Sequence, residues 1–175
     1  MKLIFLDTET GGVDPRANSL LSIGLVIWEN KKIITEKEFL VKEKNYNVTA
    51  QAMEINKINL DELKKKGLEK SEIKKEITNL VKNNFKEKAV LAGHNINFDI
   101  SFLKKIFEEK EFSEIFSYRS IDTASIIKYL SIKKGLDLNS LDDAIKYYNL
   151  KVNERHTALG DAIVTAELFN KLLEE

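Results

Sequence analysis

The first forty positions of the chain carry the hydrophobic patterns that are typical of β-strands. Residues 3–7 (LIFLD) form a short apolar run that ends in an acid, which predicts a buried strand. Residues 19–28 and 32–41 predict two more strands, joined as a hairpin at residues 29–31. Residues 42–59 are polar and without a regular period, so irregular structure is predicted there.

The rest of the chain alternates between helical and extended patterns. Apolar residues at helical spacing, such as Ile73 and Ile77, predict a helix from Ser71 to about Phe85, and Asn97 is predicted to cap another. The remaining predicted elements are strands at 89–93 and near 119–122, and helices at about 123–130, 139–148 and 158–173. This order predicts an α/β fold with a mixed β-sheet flanked by helices. No linker or repeat interrupts it, so residues 1–175 are expected to form a single domain.

Composition narrows the possible chemistry. Cysteine is absent, so disulfides and thiolate metal sites are excluded, and any bound metal must have oxygen or imidazole ligands. Such ligands favour Mg²⁺ or Mn²⁺. No signal peptide and no apolar run of about 18 residues is visible, so a cytoplasmic location without membrane association is expected. The net charge is zero, which argues against a broad basic nucleic-acid surface.

Two acids stand at the end of the first predicted strand. Asp7 and Glu9 are two positions apart, so both side chains point to the same face of that strand. An Asp-x-Glu pair taken alone is a solvent-exposed strand end roughly nine times in ten. The apolar residues before Asp7 make exposure less favourable here, and two adjacent carboxylates raise each other's pKa unless a cation lies between them.

Further acids and a histidine occur in two later apolar segments. Asp99 lies near the start of a predicted helix, where an acid is also favoured by the helix dipole alone. His94, just upstream, is more simply interpreted as a structural loop residue. His156 and Asp161 are five positions apart, so they do not share a helical face. We expect His156 in the loop before the last helix or in the first residues of that helix, and Asp161 in its opening turns.

These residues together resemble a known family. The segments FLDTETGG, HNINFD and HTALGDA are similar, in order, to the three motifs of the DEDD superfamily of 3′–5′ exonucleases, in the subclass whose fifth residue is histidine. That subclass includes the proofreading subunit of bacterial DNA polymerase III, ribonuclease T and oligoribonuclease. The five matching positions are Asp7, Glu9, Asp99, His156 and Asp161. The resemblance covers essentially the whole chain and implies a ribonuclease H-like fold.

The resemblance also implies a two-metal mechanism that releases nucleoside 5′-monophosphates. Asp7, Glu9 and Asp161 would bind the metal ion that positions the attacking water. Asp7 would also contact a second ion, which Asp99 would support. His156 would be the general base, and both ions would be Mg²⁺ or Mn²⁺.

The same resemblance places residues beside the terminal nucleotide. Thr10, Gly11 and Gly12 would border it. Many relatives have a His-Gly-Ile-like segment where the terminal base packs, whereas this chain has Met53-Glu54-Ile55-Asn56 without a glycine. Met53 and Ile55 would then either pack against the base or act as hydrophobic loop anchors, and the sequence leaves both interpretations open.

Other functions and partners were weighed against this one. A non-catalytic nucleic-acid-binding relative would be expected to lack an acid or the histidine. A phosphatase of the haloacid dehalogenase type normally has a second Asp where this chain has Glu9. The expected partner is the 3′ end of single-stranded DNA or RNA. Preference between the two sugars, homodimer formation and association with a polymerase stay open at this stage.

Overall fold

A five-stranded mixed β-sheet organises the computed structural model, which describes residues 1–152 and 154–175. Its strands are β1 (Lys2–Thr10), β2 (Leu20–Glu29), β3 (Lys32–Leu40), β4 (Ala89–Gly93) and β5 (Phe116–Asp122). Their spatial order is β3-β2-β1-β4-β5. The β3–β2 and β2–β1 pairs are antiparallel, and the β1–β4 and β4–β5 pairs are parallel. The predicted α/β fold with a mixed sheet is confirmed.

Helices cover both faces of this sheet. They are α1 (Ala50–Asn56), α2 (Leu60–Lys66), α3 (Lys70–Asn84), α4 (Ile96–Leu103), α5 (Glu109–Ile115), α6 (Thr123–Lys134), α7 (Leu141–Tyr147) and α8 (Ala158–Leu172). Helices α3, α4 and α5 contribute to the core on one face, and α8 packs on the other. Within the described residues, no helix has both the length and the apolar character that crossing a membrane requires.

Strand β1 separates the two core clusters because its side chains alternate between faces. Ile4 and Leu6 belong to the cluster on the α3–α5 side. Leu3 and Phe5 belong to the cluster on the α8 side, where Phe5 lies 5.5 Å from Phe169, measured between ring centroids. Positions 7 and 9 continue the α8-facing series, so the fold directs both acids of β1 toward that helix.

The β2–β3 connection confirms the predicted hairpin. Glu29 pairs with Lys32, and the two residues between them, Asn30 and Lys31, have φ angles of 52° and 64°. Two consecutive positive φ angles are typical of a type I′ turn, whose twist matches that of the flanking strands.

The prediction of irregular structure at residues 42–59 is wrong in part, because α1 lies within it. Thr49 caps that helix by accepting the Ala52 N–H at 3.2 Å, and Asn56 at its end donates to the Thr10 carbonyl at 3.2 Å. Helix α2 and, further along the chain, helix α5 were not predicted either. Each of these helices has seven residues, which is too short for a clear apolar period.

The predicted cap at Asn97 is also wrong. Helix α4 begins at Ile96, after Asn95, whose φ is 64°. The Asn95 N–H donates to Asp122 Oδ1 at 2.8 Å, so the end of β5 fixes the start of the helix. Asn95 itself tolerates the left-handed conformation well. The remaining predicted elements are present, with α6 extending four residues beyond its expected end at residue 130.

Candidate nuclease active site

Asp7 and Glu9 lie near the carboxyl end of β1, and both are partly buried. Asp7 is paired in register with Gly24 of β2, and Glu9 with Ser22. A Cβ on Gly24 would lie 2.1 Å from the carbonyl oxygen of Ala158, so only glycine lets the start of α8 lie this close to β2. Our sequence analysis did not identify Gly24, although a glycine inside a strand pattern often marks such a close backbone approach.

His156 lies in the loop before α8, and Asp161 lies in the first turn of that helix. His156 has a φ of 61° and precedes the N-cap Thr157, whose hydroxyl accepts the Gly160 N–H at 3.1 Å. Asp161 lies in the first turn and is 9% exposed. A Cβ on Gly160 would lie 2.4 Å from the Glu154 carbonyl oxygen, so a glycine at this position allows a close backbone contact. The expected placement of His156 in the loop and Asp161 in the opening turn matches this geometry.

Three carboxylates converge at this point. Asp7, Glu9 and Asp161 each offer a carboxylate oxygen, and these oxygens lie within 4.8 Å of one another. Asp99 is 3% exposed and accepts a hydrogen bond from the Thr8 hydroxyl at 2.7 Å. It is outside the three-residue cluster, but its charge is one of those that raise the pKa of Asp7.

The electrostatics of these four acids favour a cation. Burial is the main cause that raises the pKa of each, to about 7 for Glu9 and about 7 for Asp99. The pKa of Asp7 is raised well above its usual value by burial and then by the charges of its acidic neighbours, and that of Asp161 is raised by burial. Carboxylates in this state gain most from a hard divalent cation with oxygen ligands. The donor set therefore fits a Mg²⁺- or Mn²⁺-type site.

Arg155 is a site residue that our sequence analysis missed. Its guanidinium forms an ion pair with Asp161 through one terminal nitrogen and, through the other, with Asp142 at 2.7 Å. Its charge lowers the pKa of both Asp7 and Glu9. The chain has 28 basic residues, of which three are arginine, so an arginine directly before His156 was a usable signal.

A cavity of about 330 Å³ opens beside Glu9. It is lined by residues from β1, the following loop, α1 and α4, among them Thr10, Gly12, Thr49, Ile55 and Phe98. Three of the five residues predicted to border the substrate, namely Thr10, Gly12 and Ile55, are therefore on its wall. Phe98, which also lines the cavity, was not among the residues predicted to border the substrate.

The other two predicted substrate residues do not line that cavity. A Cβ on Gly11 would lie 2.3 Å from the Asn47 carbonyl oxygen, so this glycine allows its backbone to lie close to the backbone of Asn47. Met53 is half-buried within α1, and its carbonyl accepts the Lys57 N–H at 3.0 Å. The interpretation of Met53 as a hydrophobic anchor fits this position better than contact with a base.

A second cavity of about 340 Å³ lies on the other side of Glu9. Glu9, Glu38, Lys57 and His156 are among the residues that line it. Glu9 therefore lies between the two cavities, and the cavity that contains His156 borders the carboxylate cluster.

His94 does not join the acids. Its Nδ1 lies 3.1 Å from the Thr123 hydroxyl oxygen, and that hydroxyl donates to the Gly93 carbonyl at 3.1 Å. Burial lowers the pKa of His94. These contacts fit the structural role expected for His94, although its partner is the first residue of α6 and not its own turn.

Comparison with known proteins agrees with this architecture. A family model described as Exonuclease matches residues 4–169. The PolC-type DNA polymerase III of Thermotoga petrophila is 30% identical over 172 residues, which cover 98% of this chain but 12% of the polymerase. Ribonuclease T of Wigglesworthia glossinidia brevipalpis is 27% identical over 182 residues, covering 97% of this chain and 83% of that enzyme. The zinc-bound complex of E. coli exonuclease I with single-stranded DNA superposes with a TM-score of 0.81 and 19% identity, over 99% of this chain and 40% of that one.

A mixed sheet of this order, with acids near the carboxyl end of β1 and in the first turns of α4 and α8, is a fold of the ribonuclease H-like class. The chain belongs to the exonuclease family, because the family match covers nearly its whole length. The resemblance to DEDD-type 3′–5′ exonucleases is confirmed at the level of family and fold.

Proposed function

We propose that this chain is a metal-dependent 3′–5′ exonuclease that hydrolyses the terminal phosphodiester bond of single-stranded nucleic acid and releases nucleoside 5′-monophosphates. One observation carries the proposal. The carboxylate oxygens of Asp7, Glu9 and Asp161 lie within 4.8 Å of one another, beside a cavity of about 330 Å³. A divalent-cation site next to a cavity of this volume suits a phosphodiester whose terminal nucleotide is held in place.

The four acids would hold two divalent cations, Mg²⁺ or Mn²⁺. Asp7, Glu9 and Asp161 would bind one, and Asp7 with Asp99 would hold the other. When bound, such ions supply charge neutralisation at the phosphate and lower the pKa of a bound water. Asp99 is positioned for its role by the Thr8 hydroxyl, which occupies one of its carboxylate oxygens at 2.7 Å and fixes the orientation of the other.

His156 would act as the general base. It lies in the loop before α8 and lines the same cavity as Glu9, so its ring has access to the space beside the cluster. Its backbone φ is 61°, and the residue that follows it, Thr157, caps α8. A positioned imidazole that removes a proton from the attacking water typically accelerates such a step by about 10²–10⁴-fold.

The terminal nucleotide would occupy the cavity next to Thr10, Gly12, Ile55 and Phe98. Phe98 offers an aromatic surface and Ile55, which is 54% exposed, an aliphatic one. Apolar surfaces of this kind contact a base without reading its hydrogen-bonding edge, so weak base preference is expected.

The substrate class is proposed from relatives of known name. E. coli exonuclease I has been solved with single-stranded DNA, and ribonuclease T is named for RNA. Both DNA and RNA therefore belong in the first substrate panel. Association with a polymerase, suggested by the PolC-type relatives, and a homodimer stay open, whereas a cytoplasmic location stays a prediction.

The test is a time course on 5′-labelled single-stranded DNA and RNA oligonucleotides with Mg²⁺, Mn²⁺ or EDTA. We expect a ladder that shortens from the 3′ end, only with metal. Asp7→Asn should slow it by on the order of 10³-fold, because it removes a ligand shared by both ions, and this equals about 4 kcal/mol of lost transition-state stabilisation. Glu36→Gln, a change at an exposed position of β3, is the matched control and should behave as wild type. Intact substrates with either metal would contradict the proposal and favour a non-catalytic binding protein.

A further inference from the structure

Arg155 holds an unusual position for a cation, because it contacts a residue of the carboxylate cluster. One terminal nitrogen of its guanidinium pairs with Asp161 Oδ1, and the side chain of Arg155 is 23% exposed. Its charge also lowers the pKa of Glu9 and of Asp7. The guanidinium therefore lies in direct contact with the place where divalent ions are proposed to bind.

The contact with Asp161 and the binding of a divalent ion by Asp161 compete for the same carboxylate. An oxygen that accepts a hydrogen bond from a guanidinium is a weaker metal ligand, and two cations in close proximity repel each other. Metal binding should therefore move the guanidinium away from Asp161 or loosen that contact.

Asp142 provides the second partner that keeps Arg155 close to the site. It lies in the first turn of α7, accepts the other terminal nitrogen at 2.7 Å and is 58% exposed. Since α7 packs beside α8, this pair attaches the Arg155 side chain to the neighbouring helix. A guanidinium released from Asp161 would keep its Asp142 contact and present its remaining N–H groups beside the cluster.

Few other cations are available for a substrate phosphate there. Lys57 is the cationic residue among those that line the two cavities beside Glu9, within the part of the chain that the structure describes. The other two arginines have different neighbours, since Arg16 pairs with Asp14 and Arg119 lies over Tyr118. A planar guanidinium is also the cation best suited to bind two phosphate oxygens at once.

We infer that Arg155 is a substrate-binding residue that contacts the phosphate of the terminal nucleotide once Asp161 is engaged by a divalent ion, and that Asp142 positions it for this contact. The inference rests on the proposed function and adds a residue and its tether to it. It assigns the phosphate to the side of the site formed by the loop before α8, across from the cavity that would hold the base.

The experiment measures binding of thymidine 5′-monophosphate (dTMP) to the whole chain in MnCl2 by titration calorimetry, beside binding of Mn²⁺ alone. Arg155→Gln should weaken dTMP binding by about tenfold or more, the loss expected for one charge-assisted contact, while Mn²⁺ binds as tightly as to wild type or tighter. Arg155→Lys keeps the charge but loses the fork of donors, so a smaller loss is expected. Asp142→Asn should weaken dTMP binding by a few-fold. Arg119→Gln removes an exposed arginine elsewhere and is the control.

Two results would overturn the inference. One is dTMP binding by Arg155→Gln that equals wild type. The other is a loss of Mn²⁺ binding in parallel with dTMP binding, which would make Arg155 a support for Asp161 only. Circular dichroism of each variant and the Arg155→Lys protein distinguish either result from misfolding. Failure of the proposed function would be recognised separately, since wild type would then leave every oligonucleotide intact with Mg²⁺ or Mn²⁺.

Discussion

Individual side chains at this site have distinct tasks because their surroundings differ. Glu9 borders both cavities, and its pKa is raised to about 7 by burial and by the charges of Asp161 and Asp99. His156 borders the cavity on one side of Glu9, and Phe98 the cavity on the other. The terminal nucleotide would therefore approach the cluster from the Phe98 side, and the general base His156 would approach it from the other cavity.

This arrangement gives a prediction for His156. Asparagine tolerates the left-handed backbone at φ 61° but cannot act as a base near neutral pH, so His156→Asn separates chemistry from folding. We expect kcat to fall by about 10²–10⁴-fold, with Mn²⁺ affinity unchanged. Single-turnover cleavage and Mn²⁺ titration of the same preparation measure the two quantities. Wild-type cleavage by this variant would remove the general-base assignment.

At the scale of elements, the site depends on how closely α8 approaches β2. Gly24 pairs with Asp7 in the sheet and touches the Ala158 carbonyl, so one position joins the strand that carries two acids to the helix that carries the third. The Thr157 cap and the Gly160 contact with Glu154 then fix the loop that holds Arg155 and His156. The pairing register of β2 with β1 therefore also sets the position of Asp7 relative to Asp161.

Gly24→Ala tests this dependence. The new methyl group would lie 2.1 Å from the Ala158 oxygen, so the start of α8 must move or the strand must shift. We expect a loss of about 1–3 kcal/mol in the free energy of unfolding, typical of overpacking, and a larger loss of activity than the unfolded fraction explains. Gly135→Ala is the control. It has a φ of 67° and no neighbour within 4 Å, so strain of about 1–2 kcal/mol should leave activity per folded molecule unchanged. Urea unfolding and cleavage rates of both variants measure the difference.

At the scale of the whole molecule, the ionisation of the site acids affects the stability of the fold. The net charge of the chain is zero, yet four acids with raised pKa values are concentrated at one end of the sheet. A carboxyl whose pKa is higher in the folded than in the unfolded state binds more protons when folded. For Glu9, with a pKa raised from 4.5 to about 7, its contribution to stability falls as the pH rises through that interval. A bound divalent ion should reverse this loss.

Glu9→Gln tests how the ionisation of Glu9 affects the stability of the fold. In EDTA at pH 8 we expect the variant to be more stable than wild type by about 1–3 kcal/mol, because the buried charge is gone, and the gain should shrink toward pH 5. In MgCl2 or MnCl2 wild type should gain stability through binding, whereas the variant should gain less. Urea unfolding at pH 5 and pH 8, with EDTA or with the divalent cation, measures these differences between the variant and wild type. Glu36→Gln is the control. Equal stability of Glu9→Gln and wild type in EDTA at pH 8 would contradict the raised pKa.

The sequence was sufficient where local patterns and tertiary structure agree. Its apolar runs predicted the five strands, and apolar periodicity or neighbouring elements predicted five of the eight helices found in the described residues. The segments that contain Asp7, Asp99 and Asp161 indicated the family before any geometry was known. The three helices it missed, α1, α2 and α5, have seven residues each and depend on caps and on contacts such as that of Asn56 with Thr10.

The sequence by itself determined the strands, five of the eight described helices, the family and the list of acids, because these follow from hydrophobic periodicity and from short motifs along the chain. Tertiary structure decided which side chains share one space. The convergence of Asp7 with Asp161, the pairing of Arg155 with Asp142, and the internal role of Gly11 all join segments that no local pattern connects. The physical reason is that burial, charge and close backbone approach depend on distances in space, which are fixed only when α8 packs on the sheet.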